Sequence, residues 1–252
     1  MNRLTEIVSK ALSVLLYPLF VPTYGVALFC YAISIHVCPL PPVWYGVAII
    51  GTLVLTCLLP MSAIWILIRK GEVSDIQIVD AQQRTVPYLY TIFGFGCWSY
   101  LLISVLHAPL FLSLVAVGAT IAIGLVALIN RYWKISAHLT GMGGLFGGLM
   151  SYCLGLGAIP TWGTICLWGA VSLALMYARV RLSAHTPTQV CAGWLLGIVC
   201  TFLPFYIYSY VAYTSYPYHP SLSGSNDLPS GAALERSSLY LAAYLYAGRR
   251  TL

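Results

Sequence analysis

The sequence predicts an all-α, polytopic membrane bundle of six or seven transmembrane helices, and two observations carry that prediction. Of 252 residues, 60% are hydrophobic and only 7% charged, whereas a soluble domain carries about 25% charged residues. The apolar residues also fall into long runs divided by short connections, and crossing a bilayer as a helix takes roughly 20 of them. Candidate crossings are Ala11 to Ile35, Val43 to Ile68, Pro87 to Leu106, Pro109 to Ile129, Ser136 to Gly157, Pro160 to Met176 and Thr188 to Tyr213. Apolar residues lie all round each segment, as expected where lipid and neighbouring helices share the faces.

The breaks between runs are made by residues that end helices. Pro39, Pro41 and Pro42 separate the first pair, His107-Ala108-Pro109 the third and fourth, and Gly157 to Pro160 the fifth and sixth. The first run contains Pro18 and Pro22 and lacks a small-residue cleavage site, so it does not read as a removable signal peptide. It either crosses or folds back as a re-entrant segment. Residues 1–213 form one membrane domain on this reading, and 214–252 a tail rich in Pro and Ser. The eight cysteines lie mostly inside apolar runs with no Cys-x-x-Cys pair, so they read as buried thiols.

The charges are few enough to place one by one: 12 Lys/Arg and 6 Asp/Glu. One loop holds Arg69, Lys70, Glu72, Asp75, Asp80 and Arg84. A second holds Arg131 and Lys134, and a third Arg179 and Arg181. The alternate connections carry no formal charge. Two crossings separate each charged loop from the next, so all three open on the same membrane face. Arg84, Lys134, His138, Arg179, Arg181 and His185 therefore converge. The positive-inside rule accounts for Arg69 and Lys70, but it gives no reason for a histidine close to a cation in two separate loops. His36, His107 and His219 stand alone and read as structural.

Clustered cations and imidazoles beside apolar spans mark a functional site. Lys134-Ile135-Ser136-Ala137-His138 and Arg179-Val180-Arg181-Leu182-Ser183-Ala184-His185 contain no carboxylate, which suits an anion and argues against a metal. No cofactor is implied. Arginine and lysine side chains clamp phosphoryl groups and offset charge in their transfer. One imidazole can attack phosphorus while the other protonates the leaving oxygen. The run Gly141-Met142-Gly143-Gly144-Leu145-Phe146-Gly147-Gly148 lacks the Gly-Lys-Ser/Thr ending of a phosphate loop. Its small-x-x-x-small spacing predicts close helix packing instead. Arg131-Tyr132-Trp133 reads as an interfacial anchor, and basic residues are too few for nucleic acid.

Arg179-x5-His185-x3-Gln189, followed by Ala192-Gly193, resembles the third motif of the type 2 phosphatidic acid phosphatase superfamily, S-R-x5-H-x3-D. Ser136-Ala137-His138 resembles its second motif, P-S-G-H, and Arg84 with Pro87 a degenerate form of its first, K-x6-R-P. The resemblance spans residues 84–193. It implies a metal-independent lipid phosphatase with His185 as nucleophile and His138 as acid. Arg179 and Arg84 would hold the phosphate, with the backbone amides at Ser136 and Ala137, which open a helix and attract anions in their own right. Lys134 and Arg181 have no family role; on chemical grounds either could serve as an extra clamp, and Lys134, four residues before His138, fits better. Gln189 stands where the family has the aspartate that supports the nucleophile, Gln77 replaces the first-motif lysine and Ala178 the serine before the arginine. The expected partner is a phosphorylated membrane lipid. The family works mostly on the external or lumenal face, which is also the expectation for this site.

Overall fold

The computed structural model describes residues 3–36, 40–73, 82–156 and 162–215, and every described segment is helical or a short turn. The order is α1 (Arg3–Leu15), α2 (Val21–His36), α3 (Pro42–Thr52), α4 (Leu59–Arg69), α5 (Thr85–Tyr100), α6 (Leu110–Ile129), α7 (Ala137–Leu156), α8 (Trp162–Arg181) and α9 (Pro187–Ser215). A π turn, Leu53–Leu58, joins α3 to α4, and another, Leu101–Val105, extends α5. The first widens the helix immediately before Pro60. A proline in a regular helix interior would clash with the carbonyl four residues back, and the wider turn relieves that contact. Among the described residues, five helices are long and apolar enough to cross a membrane: Pro42–Arg69, Thr85–Val105, Leu110–Ile129, Gly163–Arg181 and Pro187–Tyr208. Helix α7, at 20 residues, falls within their range of 19 to 28. Gln77, Asp75 and Asp80 and the tail beyond Ser215 lie outside the described residues.

The first expected crossing is corrected by the structure. Ala11 to Ile35 is broken between Leu15 and Val21, leaving the separate helices α1 and α2. Pro18 has no N–H and disfavours helical backbone at the residue before it. The Phe20 N–H then bonds the Tyr17 carbonyl at 2.9 Å, and the Tyr24 hydroxyl bonds the Leu15 carbonyl at 2.9 Å, closing the corner. Helix α1 is amphipathic: Ser9 and Ser13 face inward, while Leu4, Ile7, Val8 and Leu15 are exposed. Helix α2, at 16 residues, is about 24 Å long at 1.5 Å per residue.

A second correction concerns Arg179 and Arg181, expected in a loop but found in the last turn of α8. Cations in a final helical turn are favoured by the partial negative charge there, so they extend the helix beyond Met176. The convergence of the charged loops is what the structure shows. It follows from the helix pairs α5–α6 and α7–α8 and does not depend on whether α1 or α2 crosses.

Helices α7 and α9 run parallel and meet backbone to backbone. A Cβ at Gly197 would overlap the Thr140 carbonyl and approach the Gly144 nitrogen to 2.5 Å; one at Gly143 would overlap the Trp194 carbonyl. The Thr201 hydroxyl donates across the seam to the Gly144 carbonyl, or to that of Gly197 on its own helix, at 3.0 Å. The glycine run thus serves packing, as its spacing predicts. Below it, Phe29, Phe111 and Tyr152 pack ring against ring, with centroids 5.5 to 6.1 Å apart.

Gly197→Ala is expected to destabilise the protein by about 1–3 kcal/mol, the usual cost of overpacking a tight contact. Gly124→Ala on α6, where a Cβ meets nothing within 4 Å, is expected to be neutral or stabilising by up to about 1 kcal/mol. Thermal unfolding midpoints in one detergent check the pair. Equal midpoints would contradict the seam as the tight contact of the bundle.

Candidate phosphate site

His185 is positioned by two helix caps that follow one another without a spacer. Helix α8 ends in a Schellman motif: the Ala184 N–H bonds the Arg179 carbonyl at 3.1 Å and the Ser183 N–H that of Val180 at 3.0 Å. Ser183 occupies the left-handed C′ position with φ 53°, where glycine is usual. Helix α9 then opens with a capping box, Thr186-Pro187-Thr188-Gln189. The Gln189 side-chain oxygen accepts the Thr186 N–H at 3.1 Å, and the Thr186 hydroxyl accepts the Gln189 N–H at 3.4 Å. Reciprocal bonds of this kind satisfy two helix-end donors at once. Pro187, in the first turn, gives up no bond there.

The same Gln189 oxygen lies 3.2 Å from His185 Nδ1. Because that oxygen already accepts a backbone N–H, the amide cannot be reversed without losing the cap. The imidazole must therefore donate from Nδ1. That leaves the lone pair of the neutral ring on Nε2. Gln189 thus occupies its position for two reasons, a local one that caps α9 and a chemical one that sets the tautomer.

The other histidine sits at the start of α7. His138 Nε2 is 3.1 Å from the Ser13 carbonyl, and the Tyr17 ring meets it edge-on at 5.4 Å. The corner between α1 and α2 therefore reaches the site and anchors one nitrogen of this ring. Ser136 precedes α7; its carbonyl accepts the Thr140 N–H, its hydroxyl is fully buried without a partner, and a Cβ at Gly193 would come within 2.6 Å of its carbonyl oxygen. The two resembled motifs, around Ser136 and around Gly193, are thus in direct contact, the start of α7 lying against the second turn of α9. The α7 N-terminus presents partial positive charge to the site.

Arg84, Arg179, His138 and His185 all line one cavity of about 150 Å³, together with Ala137, Tyr17 and Tyr88. Arg84, in the turn before α5, is buried and bonds Asn130 Oδ1 at 3.2 Å and the Tyr88 hydroxyl. Arg179 is 92% buried (8% exposed), and its Nε has no hydrogen-bond partner. Neither Arg179 nor Lys134 is ion-paired with a carboxylate among the described residues. A buried guanidinium with an unmet donor, beside a second one, is a ready anion site.

Not every expected residue joins them. Lys134 stands at the rim and does not line the cavity; burial, then Arg84 and Arg179, lower its pKa. Arg181 points away: it is exposed, and its Nε donates to the Tyr177 hydroxyl at 2.9 Å, with the guanidinium over that ring. The Ser136 hydroxyl does not line the cavity either, whereas Ala137 does. Tyr17, Tyr88 and Asn130 were not singled out in the sequence. Tyr88 had a usable signal, since it lies four residues after Arg84 and so shares its helical face. Tyr17 and Asn130 had none, because an aromatic beside a proline and an Asn ending an apolar run are ordinary boundary residues.

The cations also act on His185. Burial and then Arg179 push its pKa down to about 4, with the Gln189 bond opposing and Lys134 and Arg84 adding smaller effects. The ring is therefore neutral at ordinary pH, the form in which Nε2 carries a lone pair. Comparisons with protein-family models, with curated proteins and with solved structures give no match to this chain.

Two outcomes are expected from this geometry. Thr186→Ala removes half of the capping box and should lower stability by about 1 kcal/mol, whereas Ser183→Gly relieves the left-handed backbone and should raise it; chemical denaturation of the two variants checks both signs. His185 should titrate near 4 by NMR. Its folded pKa lies below the ordinary 6.5, so the unfolded chain takes up the proton first as pH falls. The His185 contribution to stability should then decline from about pH 6.5 to about 4 and level off below.

Proposed function

We propose that this protein is a membrane-embedded lipid phosphatase that works through a phosphohistidine at His185. The observation that carries the reading is the Nδ1–H bond of His185 to Gln189, which leaves Nε2 free beside the buried Arg179. The motif resemblance between residues 84 and 193 supports it. Arg84, Arg179 and the first amides of α7 hold the phosphoryl oxygens. The Nε2 lone pair attacks phosphorus, and the bond from phosphorus to the lipid oxygen breaks. His138 donates its Nε2–H to the Ser13 carbonyl, so Nδ1 carries the lone pair of the neutral ring; it takes the proton that the phosphomonoester monoanion brings in and passes it to the departing oxygen. Positive charge on the imidazolium is offset by the bound phosphate dianion. Water then attacks the N-phosphoryl group and gives a proton to His138 Nδ1. Phosphate leaves and neutral His185 is restored. If a lipid hydroxyl takes the place of water, the same site is a phosphotransferase. The external membrane face belongs to this proposal.

A second reading is favoured by one observation. Gln189 is neutral and divides its oxygen between His185 and the Thr186 N–H, so it cannot offset imidazolium charge as a carboxylate would. A relative that binds or moves phospholipid without cleaving it would tolerate this.

Phosphate release from a panel of lipid phosphates and diphosphates, with and without chelator, separates the readings. Turnover that survives chelator and is lost in His185→Ala is expected. Gln189→Asp should raise turnover; as an analogy, aspartate-to-amide change beside a catalytic histidine in serine proteases costs about 10⁴ in rate. No release from wild type or Gln189→Asp would leave binding without chemistry, and loss of activity on chelation would contradict the metal-free route.

A further inference from the structure

We propose that one hydrocarbon chain of the substrate runs inside the bundle, not along its lipid-facing surface, and that Phe29, Trp98 and Leu112 form the floor against which it ends. The proposal rests on the phosphate reading above and adds to it a chain-binding site and a preference for single-chain lipid phosphates.

The cavity that holds the cations does not end at them. On α5 its lining passes from Arg84 through Tyr88, Thr91 and Phe95 to Trp98. Fourteen residues at 1.5 Å each make that path about 21 Å long, two-thirds of the roughly 30 Å hydrocarbon core. Helix α6 lines it in the opposite direction, from Ile123 and Ala119 to Val115 and Leu112, and α2 from Val21 to Phe29. Away from the charged end the surface is apolar. The Thr91 hydroxyl is turned back on the Pro87 carbonyl at 2.8 Å, and those of Thr140 and Thr201 on the Ser136 and Gly144 carbonyls at 3.0 Å, so none presents a free donor.

The far end is closed. Phe29 and Trp98 are each 2% exposed and Leu112 is fully buried. Trp98 is fixed there by its Nε1–H bond to Thr52 Oγ1 at 2.8 Å, and Phe29 packs on Phe111. Volume sets the width. About 150 Å³ is what a single benzene-sized apolar group fills in an engineered cavity. Spread over some 20 Å, that space is narrower than one extended chain, so a chain must part the lining side chains as it enters, and two have no room. Cations at one end and a closed apolar channel behind them match a phosphate followed directly by one chain.

The test uses the full-length protein in lipid nanodiscs and an n-alkyl phosphate with a photoreactive diazirine on its last carbon, the crosslinked residue being located by mass spectrometry. Labelling is expected on α2, α5 and α6 at Phe29, Trp98 or Leu112. It should be lost in Arg179→Ala, and an unlabelled single-chain phosphate should compete at least tenfold better than a diacyl phosphatidate. Ala119→Phe fills the channel midway. It should reduce that labelling at least tenfold while inorganic phosphate still raises its unfolding temperature, which shows that the variant is folded. Arg179-dependent labelling on the exposed residues Leu89 and Phe93 would overturn the internal channel and leave the phosphate site standing. Equal competition by the diacyl lipid would overturn the single-chain preference. Labelling that ignores Arg179 would remove the phosphate reading as well.

Discussion

The backbone contact between the parallel helices α7 and α9 is the constraint on which the site depends. Glycines at 143, 147 and 197 bring the two axes closer than side chains allow, and Gly193, in the second turn of α9, lies against the carbonyl of Ser136, just before α7. That register sets the start of α7, which carries His138, beside the second turn of α9, with His185 just before the first. No polar bond alone could hold that register in a bilayer, where hydrogen bonds between helices contribute modestly. Close packing does it, over several turns, and α8 only has to return the chain to the same face.

Electrostatics then acts on a frame already fixed. Arg84 and Arg179 are buried near each other, and each must find compensation. Arg84 has Asn130 and Tyr88, which spread its charge but do not neutralise it. Arg179 keeps an unmet donor. Burial and then Arg179 keep His185 neutral, and the repulsion between the two guanidiniums is relieved when an anion enters. The arrangement therefore favours an anion and, on the proposed function, leaves His185 in the form that attacks phosphorus. Gln189 adds orientation without charge, so on that reading transfer to His185 relies on Arg84, Arg179 and the start of α7 for nearly all of its electrostatic stabilisation.

Much of this could be read before any coordinates. Hydropathy and helix breakers fixed the membrane bundle, and counting crossings between charged loops brought Arg84, His138, Arg179 and His185 to one face. Small-residue spacing pointed to the contact at Gly143 and Gly147. What could not be read was local backbone geometry. Pro18 splits a charge-free run that hydropathy alone treats as one span. The side chain of Arg181 turns to Tyr177 because helical phase, not loop position, directs it. The double role of Gln189 was half visible: its capacity to accept an imidazole N–H follows from chemistry, whereas the capping box needed α9 to begin at Pro187. Tyr17 reaches His138 only because the chain turns at Pro18.

The proposed function depends on phosphorus reaching Nε2 of His185. The most direct measurement is an alkaline quench during turnover of a radiolabelled lipid phosphate, with the protein then digested to find the labelled residue. The account predicts an acid-labile phosphoramidate on His185, on the pathway to release and missing in His185→Asn. Turnover with no covalent adduct, or with label on another residue, would contradict it.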